Sequence, residues 1–264
     1  GVVVVPLVLV QEWFLRAANA AGAAPPYNAL HKLRVLKGIP LQAFGERPSR
    51  LRIRIEPDAG EPAVLNATLY DDAGVARFAA QVVQQPPESA EALTKIAAAS
   101  AAWPHAAIAG AELYGAQLFH GPAFATLQQI DRLGEQGARA DLAVSRAAGW
   151  DAPRPSPLAP QWFTDPALID GGLQLARVWG YERLQQLTLP TAGETFVVYE
   201  PGMLAAGRGV RCIVEGKPIG QAGTRTNLWY VDAASGVLIA TVRGLEMYKS
   251  SEAALAPAQV GGAQ

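Results

Sequence analysis

The sequence predicts an α+β protein built from two similar halves, each an antiparallel sheet wrapped around one central helix. Three observations carry this. Apolar residues recur at helical spacing after Pro6, and a second helix is signalled at Pro166. Several short segments between and beyond them alternate polar and apolar residues, as half-buried strands do. The pattern also repeats, because Pro6 and Pro166, and Tyr70 and Tyr230, are each 160 positions apart (166 − 6 and 230 − 70).

In chain order, Val2 to Val5 form an apolar opening and Pro6 suits the first turn of a helix running to Ala21. Val10, Trp13, Phe14 and Ala17 mark its inner face, and Gly22 with Pro25-Pro26 stops it. Residues 50–56, Arg-Leu-Arg-Ile-Arg-Ile-Glu, alternate strictly, which predicts a strand. Leu65, Ala67 and Leu69 predict another, and Asp71 to Gly74 a turn that returns the chain through Phe78, Ala80 and Val82. The stretch from Gln84 to about Ala109, with Pro86-Pro87 and an alanine-rich middle, reads as a connection to the second half. There Thr164 or Asp165 can cap a helix from Pro166 to about Tyr181. Strands follow near 195–200, 208–216, 222–232 and 237–248. The expected organisation is therefore 1–88 and 110–250 for the two halves, a crossing segment at 89–109, and a linker tail at 251–264.

Bulk properties narrow the function. With 50% hydrophobic and 17% charged residues, the 264-residue chain can bury a sizeable core. A net charge of −1 offers no general attraction to phosphate backbones, so nucleic acid is not an expected partner. No apolar run reaches the roughly 18–20 residues that span a bilayer, so no membrane association is expected. Cys212 is the only cysteine, which excludes an internal disulfide and a cysteine-rich metal site and fits a reducing cytoplasm. There is no phosphate-cradling glycine loop and no nucleophile elbow; neither a metal nor a diffusible cofactor is implied. The opening lacks an initiator methionine and is expected to be an excerpt of a longer chain, without the marks of a signal peptide.

Three motifs then appear in order. Gly1-Val-Val-Val-Val-Pro6, followed by Leu-Val-Leu-Val-Gln-Glu-Trp, resembles the end of the HxxxGxxxxP motif of polyketide synthase dehydratases. Tyr114 with Leu118-Phe119-His120-Gly121-Pro122-Ala123-Phe124 resembles their YxxxGxxYGPxF segment, one residue shorter between Tyr114 and Gly121. Asp165-Pro-Ala-Leu-Ile-Asp170-Gly-Gly-Leu-Gln174 resembles HPALLDxxxQ/H, with Asp165 in place of the histidine. Gly244-Leu245-Glu246-Met247 extends the likeness towards the end. The Glu-Trp after the first motif leans towards the polyunsaturated-fatty-acid-synthase and enediyne types. The resemblance implies a double hotdog, two fused hotdog halves sharing one active site. It also implies loss of water from a β-hydroxyacyl thioester carried on the phosphopantetheine arm of an acyl carrier protein. Neighbouring synthase domains and a homodimer are the partners it implies, in the cytoplasm.

Such an elimination removes an α-proton and protonates a poor leaving group, which a histidine base and a carboxylic acid supply. Asp170 is the candidate acid, with Gln174 one helical turn on to orient it. Apolar neighbours Leu168, Ile169, Leu173 and Leu175 are expected to raise its pKa against the opposing helix N-terminus. Pro6, Leu7, Tyr114, Leu118, His120, Gly121 and Pro122 are the candidate substrate-binding residues. The Leu7 N–H at the helix start is expected to polarise the thioester carbonyl. Gly121-Pro122 is expected to form a tight turn that substrate approaches closely. The resemblance places the base four residues before Gly1. Of the three histidines present, His31 reads as a solvated strand residue, His105 as a loop residue and His120 as tunnel lining. Glu12 sits on the first helix roughly where Asp170 sits on the second. A second site there would need a histidine ahead of the second helix, and residues 151–161 hold none, so one site is expected. Two readings stay open: a dehydratase whose base lies upstream, or a dehydratase-like domain that serves as an architectural or carrier-docking module. A hotdog thioesterase is a third.

Overall fold

The computed structural model describes residues 3–21, 26–41, 49–149 and 162–249. The expected helix stop at Gly22 and Pro25, the 151–161 stretch and the 251–264 tail lie outside the described residues.

The first half contains β1 (Val3–Val4), α1 (Leu7–Ala20), β2 (Ala29–Val35), β3 (Pro40–Leu41), β4 (Arg52–Pro57), β5 (Leu65–Tyr70) and β6 (Ala76–Val83). Pro6 stands at the N-cap, one position ahead of the first helical residue. The predicted inner face of α1 holds: Val10, Phe14 and Ala17 are buried, and Phe14 packs into a cluster with Leu30, Leu69 and Val82. The predicted hairpin also forms, with β5 antiparallel to β6 and Gly74 at φ +78 in the turn. Its counterpart joins Asp232 to Leu238 with Gly236 at φ +71, so the offset repeat is a repeat of structure. Both turns need a left-handed backbone, which glycine adopts without a Cβ clash.

The crossing segment carries more structure than a plain connection. It folds as α2 (Ala90–Ala101), β7 (His105–Ala109) and α3 (Gly110–Leu113). Alanine is the best helix former, Ser89 caps α2 by accepting from the Ala92 N–H, and Glu91 pairs with Lys95 one turn on. His105 accordingly lies exposed on an edge strand rather than in a loop.

The second half continues with β8 (Leu127–Gly134), β9 (Gly137–Leu142), α4 (Pro166–Leu184), β10 (Thr188–Val198), β11 (Val210–Ile219), β12 (Gly223–Asp232) and β13 (Leu238–Lys249). The strands expected after the helix are β10 to β13. β8 and β9 were not expected, for a physical reason: Leu127, Ile130 and Leu133 recur every third residue and do not alternate. Register shifts between Leu127 and Gln129, and between Ile130 and Arg132, explain the spacing. Each inserts a residue into the ladder and turns the next apolar side chain back to the same face.

Eleven strands form one antiparallel sheet in the order β4-β5-β6-β2-β10-β13-β12-β11-β9-β8-β7. The halves join where β2 pairs with β10. The four strands on one side of that seam pack on α1, and β8 to β12 pack on α4. This is the double hotdog. The two central helices also touch each other, which makes their facing sides the natural place for a shared site. Helix α4 is buried on nearly every side, from Pro166 to Gly180. Leu168, Leu175, Val178 and Trp179 fill the core against Val214, Leu228 and Tyr230. Polar residues on such a helix are therefore conspicuous.

Candidate active site

Asp170 is the fifth residue of α4 and is only 6% exposed. Its depth follows from Gly171 and Gly172. A Cβ at Gly172 would lie 2.1 Å from the Tyr230 Oη, and one at Gly171 would lie 2.6 Å from the Thr126 Oγ1. Only bare backbone lets the helix come this close to β12 and to the chain entering β8. Two hydrogen bonds clamp it there, from the Tyr230 hydroxyl to the Ile169 carbonyl (2.7 Å) and from the Thr126 hydroxyl to the Ala167 carbonyl (2.8 Å).

The helix start is held as firmly. Asp165 is the N-cap, and its carboxylate accepts from the backbone N–H groups of Leu168 (3.3 Å), Ser145 (2.8 Å) and Leu204 (3.0 Å). Thr164, the other capping candidate, instead donates its hydroxyl and backbone N–H to Glu12. Glu12 also accepts from the Phe163 N–H, at 2.9 Å. Its carboxylate is thus committed to joining α1 to the approach of α4.

A chain of hydrogen bonds runs outward from Asp170. The Gln174 Nε2 donates to the Asp170 Oδ2 at 2.7 Å and to the Phe124 carbonyl at 2.7 Å. The Tyr114 hydroxyl donates to the Gln174 Oε1 at 2.7 Å and accepts from the Leu127 N–H at 2.9 Å. His120 brings its Nε2 to 3.3 Å from the same Oδ2. Of the expected site residues, Tyr114, His120, Asp170 and Gln174 are therefore one connected group.

The others play different parts. Leu118 is buried, and its backbone closes the turn with Leu113 and Gly115. Gly121 and Pro122 lead into a short 3-10 turn that ends at Phe124, whose carbonyl receives Gln174. Gly121 has φ −74, an ordinary conformation, and a Cβ there would meet open space. The turn thus does not need glycine for its geometry. Pro6 and Leu7 stand at the head of α1, Leu7 buried and Pro6 half-buried, and no hydrogen bond among the described residues joins either to Asp170. His31 is half-buried on β2 rather than freely solvated, with its Nε2 2.6 Å from the Gln85 Oε1.

Burial sets the electrostatics. It raises the Asp170 pKa from the ordinary 3.8, opposed by His120, the Gln174 hydrogen bond and Arg177. Desolvation is the largest influence on the group, in the direction expected from its apolar neighbours. It also lowers the His120 pKa, an effect that Arg177 adds to and Asp170 opposes. Tyr114 is pushed up to about 12 by the same desolvation. At neutral pH such a site holds a neutral imidazole and phenol beside a carboxyl group biased towards its acid form.

Sequence reasoning missed two participants. Tyr230 served only as a repeat marker, yet it is fully buried and clamps the residue before Asp170. Arg177, two turns beyond Asp170 on the same helix face, is 3% exposed and packs its guanidinium 4.6 Å from the Phe119 ring. A cation within the apolar middle of a helix was the available signal.

Comparison with known proteins agrees with this fold. No curated protein sequence matches the chain. Among solved structures, an inactive mutant of the CurJ dehydratase in complex with a compound is 18% identical, covers 96% of this chain and 85% of its own, and superposes with a TM-score of 0.70. The dehydratase domain of the CurF module of curacin polyketide synthase gives 15% identity, 95% and 86% coverage, and a TM-score of 0.73. A trans-AT polyketide synthase dehydratase domain from Brevibacillus brevis gives 16%, 94% and 86%, and 0.73. At these identities the likeness is one of fold. The sequence family described as polyketide synthase dehydratase N-terminal domain matches residues 95–257, more than half of the chain and all of α4. With that match, the chain belongs to the polyketide synthase dehydratase family.

Proposed function

We propose that this domain eliminates water from a β-hydroxyacyl thioester presented by an acyl carrier protein, giving an α,β-enoyl thioester. The observation that carries the reading is the buried Asp170 carboxyl, held by Gln174 and Tyr114 and biased towards its protonated form. Expelling hydroxide requires a proton at the leaving oxygen, and a carboxyl group whose pKa burial raises is suited to carry and give one. The α-proton goes to a histidine that the family pattern places four residues before Gly1. Proton removal and proton donation then occur from the two halves of the double hotdog, on opposite sides of the acyl chain. The substrate arrives on the phosphopantetheine arm of its carrier, so the domain supplies positioning and proton transfer and needs no cofactor of its own. A place beside other synthase domains, a homodimeric state and the cytoplasm belong to the same proposal.

The test is the chain with its upstream residues, supplied with β-hydroxyacyl carrier protein and assayed by mass spectrometry for the loss of one water from the acyl group. Asp170→Asn is expected to lower enoyl formation at least about 10²-fold without unfolding the domain. Unchanged turnover would remove Asp170 from the mechanism. Free acid as the product would make the domain a thioesterase, and carrier binding without any product would make it a docking module.

A further inference from the structure

Two side-chain nitrogens lie beside one oxygen of Asp170, one of them hydrogen-bonded to it. Gln174 places Nε2 2.7 Å from Oδ2, and His120 places Nε2 3.3 Å from the same atom. The orientation of the Gln174 amide is fixed by its other partners, because Oε1 accepts from Tyr114 while Nε2 also donates to Phe124. Oδ1 has no hydrogen-bond partner among the described residues.

The tautomer of His120 follows from its surroundings. Its Nδ1 is buried and has no hydrogen-bond partner among the described residues. A proton on Nδ1 would bury an N–H with no acceptor, at the full desolvation cost of that group. A proton on Nε2 supplies a donor to the carboxyl and leaves only a bare lone pair at Nδ1. Phe119 stacks on the imidazole at 4.5 Å and 16°, and Arg177 packs on Phe119. The ring is thereby held in its plane with a cation nearby, which disfavours a second proton.

We propose that His120 is a positioning residue for the acid of the dehydration: its Nε2–H joins Gln174 in occupying Oδ2 of Asp170, so that the acidic proton is carried on Oδ1. The inference rests on the dehydratase reading for its kinetic consequence and on geometry alone for its structural one. When Oδ1 gives its proton to the leaving hydroxyl, the negative charge that appears on the carboxylate meets two donors already in place. The O–H bond of Asp170 breaks, the proton leaves with the departing oxygen as water, and His120 keeps its own proton throughout.

The groups facing Asp170 are few. Gln174 and Arg177 face it from its own helix, Tyr114 and His120 from the segment before β8, and Tyr230 from β12. Several other charged groups on the elements packed against α4 are engaged elsewhere. Glu12 holds Phe163, Thr164 and Arg16; Asp165 holds Ser145 and Leu204. Arg139 pairs with Asp131, Arg211 with Asp141, and Arg225 with Glu194. Among the described residues, His120 is therefore the partner whose removal changes the hydrogen bonding of the carboxyl without touching Gln174.

The experiment is nitrogen and carbon NMR on the chain with its upstream residues, with labelled histidine and aspartate, beside the enoyl assay. Wild type is expected to show His120 as the neutral Nε2–H tautomer at pH 7. His120→Phe is expected to raise the Asp170 carboxyl midpoint by about one pH unit, a tenfold change in its ionisation constant. His120→Gln, which retains an N–H donor, should recover about half of that shift. The kcat of His120→Phe should fall about 10-fold with KM nearly unchanged, and His120→Gln should lie between. An Nδ1–H or doubly protonated His120, or a carboxyl midpoint unmoved in both variants, overturns the proposal. A wild-type chain that makes no enoyl product but shows the expected tautomer and shift would refute the dehydratase reading and leave the positioning role standing.

Discussion

Replacing Gly172 by alanine tests whether the seat of Asp170 depends on bare backbone. In an ordinary helix interior Gly→Ala stabilises by about 1 kcal/mol. Here the new Cβ would lie 2.1, 2.4 and 2.6 Å from the Oη, Cζ and Cε1 of Tyr230, far inside any contact that real Cβ atoms make. The ring is fully buried, so it can yield only by moving the helix or itself. Overpacking of this kind costs about 1–3 kcal/mol. The movement also breaks the 2.7 Å bond from Tyr230 to the Ile169 carbonyl, leaving the buried tyrosine hydroxyl unpaired at about 1–3 kcal/mol. Set against the helix gain, the net loss is about 1–5 kcal/mol, which lowers Tm by roughly 2–20 °C in a domain of this size. The assay is thermal and urea unfolding followed by circular dichroism. Gly180→Ala is the internal control, because a Cβ there meets Thr224 no closer than 3.4 Å. It should be neutral or stabilising by up to about 1 kcal/mol. If Gly172→Ala behaved like Gly180→Ala, the close approach of α4 to β12 would be wrong, and with it the placement of Asp170.

Other outcomes follow from the same site. Asp165→Ala strips the N-cap of α4 and two tethers to neighbouring loops, and should cost about 2–4 kcal/mol in urea unfolding. Arg177→Met removes a buried cation whose Nε and Nη1 have no hydrogen-bond acceptor among the described residues. Stability in the same assay should be unchanged or rise by about 1–3 kcal/mol. Because the folded-state pKa of Asp170 is raised, its contribution to stability is fully present below the ordinary 3.8 and is lost as pH rises through the folded value. Asp170→Asn should therefore flatten the fall in stability on going from about pH 4 towards neutrality, measured by urea unfolding at a series of pH values.

Much of the fold was legible because its signals are local. The helical face of Val10, Phe14 and Ala17 and the hairpin at Asp71 to Gly74 each depend on residues a few positions apart, and the 160-residue offset repeats those local signals. Asp170 and Gln174 were legible through the resemblance of residues 165–174 to the HPALLDxxxQ/H motif, which lies on one helix. What escaped required knowledge of the ladder or of distant partners. The every-third-residue spacing of Leu127, Ile130 and Leu133 reads as a strand only once the register shifts in β8 are known. His120 reads as lining until the turn that follows it swings its ring onto a carboxyl far along the chain, on α4. Tyr230 lies 61 positions beyond the helix residue whose carbonyl it holds, and no spacing rule connects them.

Similar places on the two central helices serve two different ends. Both helices bury a carboxylate, Glu12 on α1 and Asp170 on α4, and burial raises the pKa of each. Their partners differ in kind. Glu12 accepts two backbone N–H groups and a hydroxyl from Phe163 and Thr164, and Arg16 lies 3.6 Å away. Those donors commit both of its oxygens to fixing the approach to α4, and a carboxylate so fully engaged has no free oxygen from which to deliver a proton. Asp170 has its known donors on one oxygen and keeps the other. On the proposed mechanism, the acid is set by which carboxyl the fold leaves half-satisfied, and the second carboxyl serves it by holding the helix in place. Glu12→Gln should accordingly loosen the start of α4 and lower enoyl formation through stability, with the pH profile of the remaining activity unmoved. A shifted profile would show that Glu12 takes part in the proton transfer itself.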